Sequence, residues 1–390
     1  MKFRAQEIGS LKKPSWRLKA YRGDQLEEKD IEEARYWGRR LGVEGYEQLI
    51  GLLRAPDSEQ KRRGVLEWSV RYALRFFEVA GLDVAYTGEQ LRVEMYEHVV
   101  RRLGGFRFLG SVNSFDYAYY RRAAAVNAPS YYGGIYLEEL SLAKRFARLP
   151  LKVPITGPYT LMDWSYLGYY EARQRQRLGI PISTPQVKRA AREEFLFDLI
   201  DKVYRPEVQT MVRMGVDWIQ IDEPAATTHP WEMETFVEAM NRLTAGVRCR
   251  FSLHVCYSDY PLLAQYAPRL KDIDMLVIAL ANVDGLQLGV DREARRGYLL
   301  LKEFSEYGYR GQIGLGVLDV HKSEARGTWK GFVIESPELV RDRILFALRY
   351  FDAERLWVNP DCGGRRMPWE VYMAKLTNMV RGAELAAREA

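Results

Sequence analysis

The stretch DWIQIDEPAATTHPWEMETFVEAMNRLTAGVRCRFSLHVCY, residues 217–257, contains the pattern that decides the fold. A short apolar run at 217–224 is followed by an amphipathic helical pattern at 230–245, and then by a second apolar run at 249–257. Short buried strands that alternate with helical crossovers are typical of parallel β-sheets. The stretch therefore predicts one strand–helix–strand unit.

The same alternation extends along the whole chain. Further long helices are predicted at 59–80 and 184–214, and each is long enough to connect parallel strands. Eight strands are predicted, at 7–10, 83–89, 152–158, 217–224, 249–257, 274–282, 312–321 and 355–363. An α/β fold, a (β/α)8 TIM barrel with insertions in its βα loops, explains this pattern best, and a doubly wound open sheet is the alternative.

Length and composition limit the class of protein. The 390 residues are 47% hydrophobic, and a barrel of this length can form one domain over residues 1–390. The 58 Lys and Arg residues exceed the 52 Asp and Glu residues only slightly and are spread along the chain, which does not favour nucleic-acid binding. Because no segment fits a membrane span or a signal peptide, we expect a cytoplasmic protein. The 3 cysteines are too few for a disulfide framework and fit buried thiols or metal ligands better.

Two stretches exceed a minimal barrel. Residues 104–134 are expected to form an extra hairpin or loop, and residues 165–185 form an aromatic and basic insertion. Both follow predicted strands, so as βα loops they are candidate lids or substrate contacts. A solvated surface hairpin is the alternative for each.

Ionisable residues recur where the predicted strands end, which indicates one shared site at the carboxyl edge of the barrel. In the strand at 249–257, alternation of side chains puts His254 and Cys256 on one face and Cys249 on the other. An imidazole and a thiolate on one rim suit zinc. Cys362 follows the last predicted strand, where barrel closure would return it to the same rim as a third ligand. The alternative is a packed cysteine beside a hydrogen-bonded histidine.

Other polar residues at strand ends have both a functional and a structural interpretation. Asp222 shares the face of Gln220 and would project into the barrel mouth, or it caps a helix. Glu89 either contacts a substrate or stabilises a helix N-terminus through the helix dipole. His321 is either a general acid or a loop residue, and His98 is expected on a helix surface.

With these residues assembled, the chain resembles the catalytic half of cobalamin-independent methionine synthase, a zinc methyltransferase built on a (β/α)8 barrel. The matching segments, in family order, are EIGS (7–10), TGEQLRVEMYEH (87–98), ITGPYTLMDWSY (155–166), IQIDEPA (219–225), HVCYSDY (254–260), GLGVLDVHKSE (314–324) and LWVNPDCGGR (356–365). The resemblance implies methyl transfer to the thiol of L-homocysteine to form L-methionine. Two-domain members carry an additional N-terminal half, so the chain resembles a short, core-only form.

The resemblance also implies roles for individual residues. The Zn2+ ligands would be His254, Cys256 and Cys362. The amino-acid end of homocysteine would be held by Ile8, Gly9 and Ser10, with its ammonium group on Glu89 and Asp222. His321 matches the family's proton donor, and Trp164 matches the tryptophan that packs against the pterin of the methyl donor. Zinc would deprotonate the thiol, whose sulfur would then attack the methyl carbon.

Three departures from the family pattern bear on the metal and on the methyl donor. The family's fourth zinc ligand, a glutamate, is replaced by Ala281 in the segment VIALAN. We therefore expect a three-ligand site with an exchangeable fourth position; water, Asp284 or another residue filling that position, or a reduced affinity for the metal, are the alternatives. Thr228 stands where the family has an acidic folate contact, and Arg121 and Arg122 match its Arg–Cys pair only loosely. The departures favour a non-folate donor, such as a methyl-corrinoid protein, over methyl-folate.

Two alternatives stay open. Another zinc thiol alkyltransferase of the same family, for example one that transfers an epoxide to coenzyme M, would keep the three metal ligands and change the thiol pocket. A metal-free, non-catalytic barrel acting as a binding protein would account for Ala281.

Overall fold

The computed structural model describes residues 2–113, 119–321 and 331–390. Its strands are β1 (Arg4–Ala5), β2 (Leu103–Asn113), β3 (Tyr119–Tyr131), β4 (Val153–Thr156), β5 (Trp218–Asp222), β6 (Arg250–Val255), β7 (Met275–Ile278), β8 (Gln312–Leu318) and β9 (Leu356–Pro360). Its α-helices are α1 (Ser15–Arg22), α2 (Glu28–Leu41), α3 (Tyr46–Arg54), α4 (Glu59–Val79), α5 (Met95–Val100), α6 (Leu137–Phe146), α7 (Pro158–Asp163), α8 (Gly168–Leu178), α9 (Pro185–Leu199), α10 (Arg205–Arg213), α11 (Met233–Thr244), α12 (Tyr260–Tyr266), α13 (Leu301–Glu306), α14 (Pro337–Ala347) and α15 (Trp369–Glu389).

The central sheet is parallel and closes on itself. Its strand order is β1-β9-β8-β7-β6-β5-β4. The two ends of this sheet meet at residues 84–85, because Val84 pairs with Gln6 beyond β1 and Ala85 pairs with Leu151 before β4. These two residues take the place of the eighth strand. The predicted (β/α)8 barrel is therefore confirmed, and the open-sheet alternative is wrong.

The predicted position of the first strand is wrong. β1 lies at Arg4–Ala5 rather than at 7–10, and residues 7–10 come after it. The N–H of Ala5 donates to Asp83 and that of Gln6 to the Val358 carbonyl, 2.8 and 2.9 Å away. These hydrogen bonds place the paired strand at residues 4–5. The apolar Ile8 had instead indicated a strand at residues 7–10. Residues 7–10 instead form part of the carboxyl edge of the barrel, where the candidate site lies.

The long predicted helices are present with small differences. The helix expected at 59–80 is α4, and its N-cap Ser58 accepts a hydrogen bond from the N–H of Lys61. The helix expected at 184–214 is continuous but contains a π-helical turn, Ile200–Tyr204, between α9 and α10. Pro206 follows this turn and has no N–H to donate to the preceding turn, so a locally wider helix is expected there.

The barrel interior is layered. At the amino-terminal end, Trp218 and Trp357 pack edge to face with ring centroids 5.0 Å apart. A polar layer lies above them and consists of buried side chains from four parts of the sheet: Gln6, Lys152, Gln220 and Asn359. Barrel interiors are usually filled by branched apolar side chains. A polar layer directly below the carboxyl edge therefore requires a separate explanation.

The two stretches that exceed a minimal barrel pack against each other at the carboxyl edge. β2 and β3 form an antiparallel hairpin that corresponds to the stretch 104–134, although β2 begins one residue earlier, at Leu103. Residues 114–118 lie outside the described ranges. The other stretch, 165–185, contains α8. Ala124 of β3 bridges Tyr166, and Tyr120 stacks on Trp164 with centroids 5.0 Å apart. The hairpin thereby forms part of the wall above the barrel.

Candidate metal and substrate site

A cavity opens at the carboxyl edge of the barrel. Every site residue proposed from the sequence lines it: Ile8, Gly9, Ser10, Glu89, Trp164, Asp222, His254, Cys256, His321 and Cys362. These residues come from segments that are distant in sequence. Barrel closure brings them together because the carboxyl ends of parallel strands share one rim.

Three of these residues form a compact group of metal-ligand atoms. His254 lies in β6, Cys256 follows that strand, and Cys362 follows β9. One ligand atom from each residue lies within 4.8 Å of the other two, and the two Sγ atoms are 3.9 Å apart. The Nδ1–H of His254 donates to the Val277 carbonyl, 3.2 Å away. Its Nε2 is buried without a hydrogen-bond partner, so this nitrogen is left for another ligand.

The donor set fits zinc. Two sulfurs bound tetrahedrally at about 2.3 Å would lie about 3.8 Å apart, close to the 3.9 Å observed between Cys256 and Cys362. The same separation excludes a disulfide, which requires about 2.05 Å. A hydrogen bond from Cys256 keeps the pKa of Cys362 well below that of an ordinary thiol. The carbonyl on Nδ1 of His254 is the partner that zinc-binding histidines usually have.

Cys249 does not belong to this group. Its Sγ is half-buried and lies 3.5 Å from the Arg250 carbonyl. The alternation of side chains along β6 explains this difference, because Cys249 points away from the face that carries His254.

Ala281 supplies no ligand atom, and the loop around it is held by another residue. The carboxyl group of Asp361 accepts hydrogen bonds from the N–H groups of Leu280, Ala281 and Asn282, at 3.0, 3.0 and 2.7 Å. Asp284 lies elsewhere, in a buried ion pair with Arg295. Within the described ranges, the group of His254, Cys256 and Cys362 includes no carboxylate.

The cavity wall also carries a rigidly held carboxylate. Glu89 has a φ of 55°, which is rare for a side chain other than glycine and indicates local strain. Arg92 holds Glu89 in place by donating to its Oε1 at 3.2 Å, and it also donates to Glu139 and to the Pro154 carbonyl. A Cβ on Gly9 would lie 3.0 Å from Glu89 Oε1. Gly9 therefore leaves the space that this carboxylate occupies.

Asp222 lies beside this carboxylate at the end of β5. Burial raises the pKa of Asp222 to about 7. The Nε2 of Gln220 donates to Asp222 Oδ1 at 2.7 Å and to the Ile8 carbonyl at 2.5 Å. Two carboxylates and a carbonyl in one part of the cavity form an acceptor set suited to an ammonium group.

Trp164 and His321 line the remaining walls. Trp164 is half-buried and stacks on Tyr120. His321 is exposed, and its ring lies 4.8 Å from that of Tyr257. The last three residues of the segment GLGVLDVHKSE (322–324) lie outside the described ranges.

Several cavity residues are not among those proposed from the sequence. The charged or aromatic ones among them are Lys13, Arg92, Glu94, Tyr120, Arg365 and Arg366. Burial lowers the pKa of Lys13 to about 8 and raises that of Glu94 to about 7. Their positions in the chain are the available signal, since Lys13 closely follows Ser10 and the two arginines follow NPDCGG. A charged residue within a few positions of a site motif is therefore the signal that could have identified these three residues from the sequence.

Other residues considered from the sequence lie away from the cavity. Thr228 is exposed, and neither it nor Arg121 or Arg122 lines the cavity. His98 is buried rather than on a helix surface, because its Nε2 bonds the Ile135 carbonyl at 2.9 Å and its ring packs against Tyr136.

A closed α/β barrel whose carboxyl edge gathers an imidazole, two thiols and acidic side chains around one cavity has the architecture of a barrel enzyme. Residues 52–385 match the family described as "Cobalamin-independent synthase, Catalytic domain". The chain belongs to the cobalamin-independent methionine synthase family, and it is a methyltransferase.

Individual relatives agree with this assignment. A methionine synthase of Thermococcus kodakarensis is 34% identical over 383 residues, which are 98% of this chain and 93% of the relative. One of Thermoplasma acidophilum is 38% identical over 350 residues, 85% of this chain and 95% of the relative. A B12-independent methionine synthase from a Shewanella species, solved with selenomethionine, has the same fold with a TM-score of 0.70 at 20% identity, covering 100% of this chain and 99% of that one.

Along the parts of the chain that the structure describes, we find no helix with the length and hydropathy needed to span a bilayer.

Proposed function

We propose that this protein transfers a methyl group to the thiol of L-homocysteine in a zinc-dependent reaction that forms L-methionine. The observation that carries the proposal is the cluster of His254, Cys256 and Cys362, whose ligand atoms lie within 4.8 Å of one another and which lines the cavity. The relatives named methionine synthase support the choice of thiol. One domain over residues 1–390 would contain the whole site, because its residues come from both ends of the closed sheet.

Zinc, when bound by these three residues, would supply the Lewis acidity that keeps a thiol deprotonated at neutral pH. The rest of the site would orient the substrate. Glu89 and Asp222 would accept the ammonium group, and the backbone and side chain of 8–10 would hold the rest of the amino-acid end. Both carboxyl groups line the same cavity as the ligand cluster, so one homocysteine could contact both.

The methyl donor is proposed to be a methyl-corrinoid rather than a folate. Thr228 is exposed and lies outside the cavity wall, as do Arg121 and Arg122, so none of these residues would contact a pterin in the cavity. Trp164 and Tyr120 provide a stacked aromatic wall, which does not discriminate between the two donors. His321 would protonate the leaving nitrogen of a folate, whereas transfer from a corrinoid requires no such proton.

A methyl-donor screen tests the proposal. Zinc-loaded protein is incubated with homocysteine and either methylcobalamin or methyltetrahydrofolate, and methionine is quantified. We expect methionine from methylcobalamin and little from the folate. Efficient turnover with the folate would contradict the choice of donor, and no methionine from either donor would contradict the function itself.

A further inference from the structure

The polar layer below the cavity is centred on Lys152. Its side chain is fully buried in the barrel interior, as are those of Gln6 and Gln220. The Nζ atom donates to Gln6 Oε1 at 3.0 Å, to the Glu7 carbonyl at 2.5 Å and to Gln220 Oε1 at 2.5 Å. An ammonium group has three protons, and three oxygens surround this one. Burial lowers the pKa of Lys152 to about 8, so the charged form still predominates at neutral pH.

This arrangement determines which way the Gln220 amide points. An ammonium group can only donate, so the Gln220 oxygen has to face Lys152. The amide nitrogen then faces the other way, and it donates to the Ile8 carbonyl at 2.5 Å and to Asp222 Oδ1 at 2.7 Å. A flipped amide would place its oxygen against these two acceptors and its nitrogen against the ammonium group. Lys152 therefore excludes the flipped orientation.

The hydrogen bonds of Gln220 end at the cavity. Asp222 lines it, and so does Ile8. With Oδ1 of Asp222 held by Gln220, Oδ2 is the carboxylate oxygen left for a ligand. Lys152 itself does not line the cavity, so it acts on the cavity through the groups that it holds, the Gln220 amide and the Glu7 carbonyl next to Ile8.

We propose that Lys152 and Gln220 are positioning residues that orient the Asp222 carboxylate and the Ile8 carbonyl to receive the ammonium group of the amino-acid substrate. The inference rests on the proposed function, since it presumes that homocysteine occupies the cavity. It assigns to a buried lysine a part in recognising the amino group of the substrate, without any contact with the substrate or the metal ligands.

The test compares two thiols that differ only in the ammonium group, homocysteine and 4-mercaptobutanoate. Binding of each to zinc-loaded protein is measured by calorimetry for the wild type and for Lys152→Met. Loss of the oriented acceptors should raise the Kd for homocysteine about tenfold or more, which corresponds to about 1.4 kcal/mol. The Kd for 4-mercaptobutanoate should change by no more than about twofold, the usual tolerance for independent sites.

Lys375→Met is the matched control. Lys375 is also a fully buried lysine, but it bonds the Val333 carbonyl and Glu335, away from the cavity. Its replacement should lower stability without changing the preference for homocysteine over 4-mercaptobutanoate. Gln220→Met is the second test variant. It should likewise raise the Kd for homocysteine and leave the Kd for 4-mercaptobutanoate nearly unchanged, so it supplies the test if Lys152→Met does not fold.

The outcomes separate the inference from the proposed function. Equal weakening of both thiols in the folded test variants, or no weakening of homocysteine, would overturn the inference while the proposed function stands. Wild-type protein that binds neither thiol would overturn the proposed function, and the inference with it.

Discussion

Replacing Cys362 with serine should weaken zinc binding on the order of 100-fold while the barrel stays folded. The serine hydroxyl remains protonated at neutral pH and is a poor zinc ligand, so only His254 and Cys256 would be left in the cluster. Four-ligand zinc sites bind with about 10–16 kcal/mol, which is about 3 kcal/mol for each ligand. One lost ligand therefore corresponds to a rise in the Kd for zinc on the order of 100-fold.

Cys249→Ser is the matched control for this experiment. Cys249 lies in the same segment as His254 but outside the ligand cluster, and its Sγ lies 3.5 Å from the Arg250 carbonyl. Its replacement should leave the Kd for zinc unchanged. The comparison then isolates metal coordination from the general effect of replacing a thiol by a hydroxyl.

The assay is competition with a chelator of known affinity, followed by measurement of protein-bound zinc. Thermal unfolding of the metal-free proteins is recorded in parallel and should agree between wild type and Cys362→Ser within about 1 kcal/mol. A Cys362→Ser protein that competes for zinc as well as the wild type would refute the proposed ligand set. Equal losses in the two serine variants would also refute it.

Three further outcomes are expected. Gly157→Ala should lower the unfolding free energy by about 3 kcal/mol in denaturant titrations, since its Cβ would lie 2.1 Å from Glu223 and break up to three hydrogen bonds that this carboxyl group accepts. Gly168→Ala, whose Cβ would meet nothing within 4 Å, should change it by no more than about 0.5 kcal/mol, and equal stabilities would contradict the packing argument. Burial raises the pKa of Glu94 from 4.5 to about 7, so the folded state binds this proton more tightly and the stability that Glu94 contributes falls as pH rises through that window. The stability of wild type relative to Glu94→Gln should therefore decrease by up to about 3 kcal/mol between pH 4.5 and a pH of about 7. A stability difference that is independent of pH would contradict the raised pKa. Homocysteine added to zinc-loaded protein near pH 7 should release close to one proton, measured by calorimetry in two buffers, because a free thiol with a pKa of about 8.5 is mostly protonated; no release would argue against a bound thiolate.

Local patterns in the sequence were sufficient for the fold class and for much of the candidate site. The period-two alternation in 249–257 places His254 and Cys256 on one face and Cys249 on the other, as observed. The repeated succession of apolar runs and helical patterns was sufficient to predict a barrel, although β1 lies at Arg4–Ala5 and not at 7–10. Such features depend on a few neighbouring residues, so they can be predicted without knowing the rest of the chain.

Long-range contacts decided what the sequence alone could not. Cys362 lies 106 residues after Cys256, and only closure of the sheet brings their sulfurs to 3.9 Å. The sequence around His98 predicts a residue on a helix surface, but its side chain is buried and its Nε2 bonds the carbonyl of the distant Ile135. The charged Lys152 has no local signal for burial, since its three acceptors come from the strands and segments around it in the closed barrel. The sequence by itself determined the kind of fold and the chemical groups of the site, because backbone periodicity is local. Their distances, burial and hydrogen-bond partners were decided only by the tertiary structure, because these arise when distant strands meet at one rim.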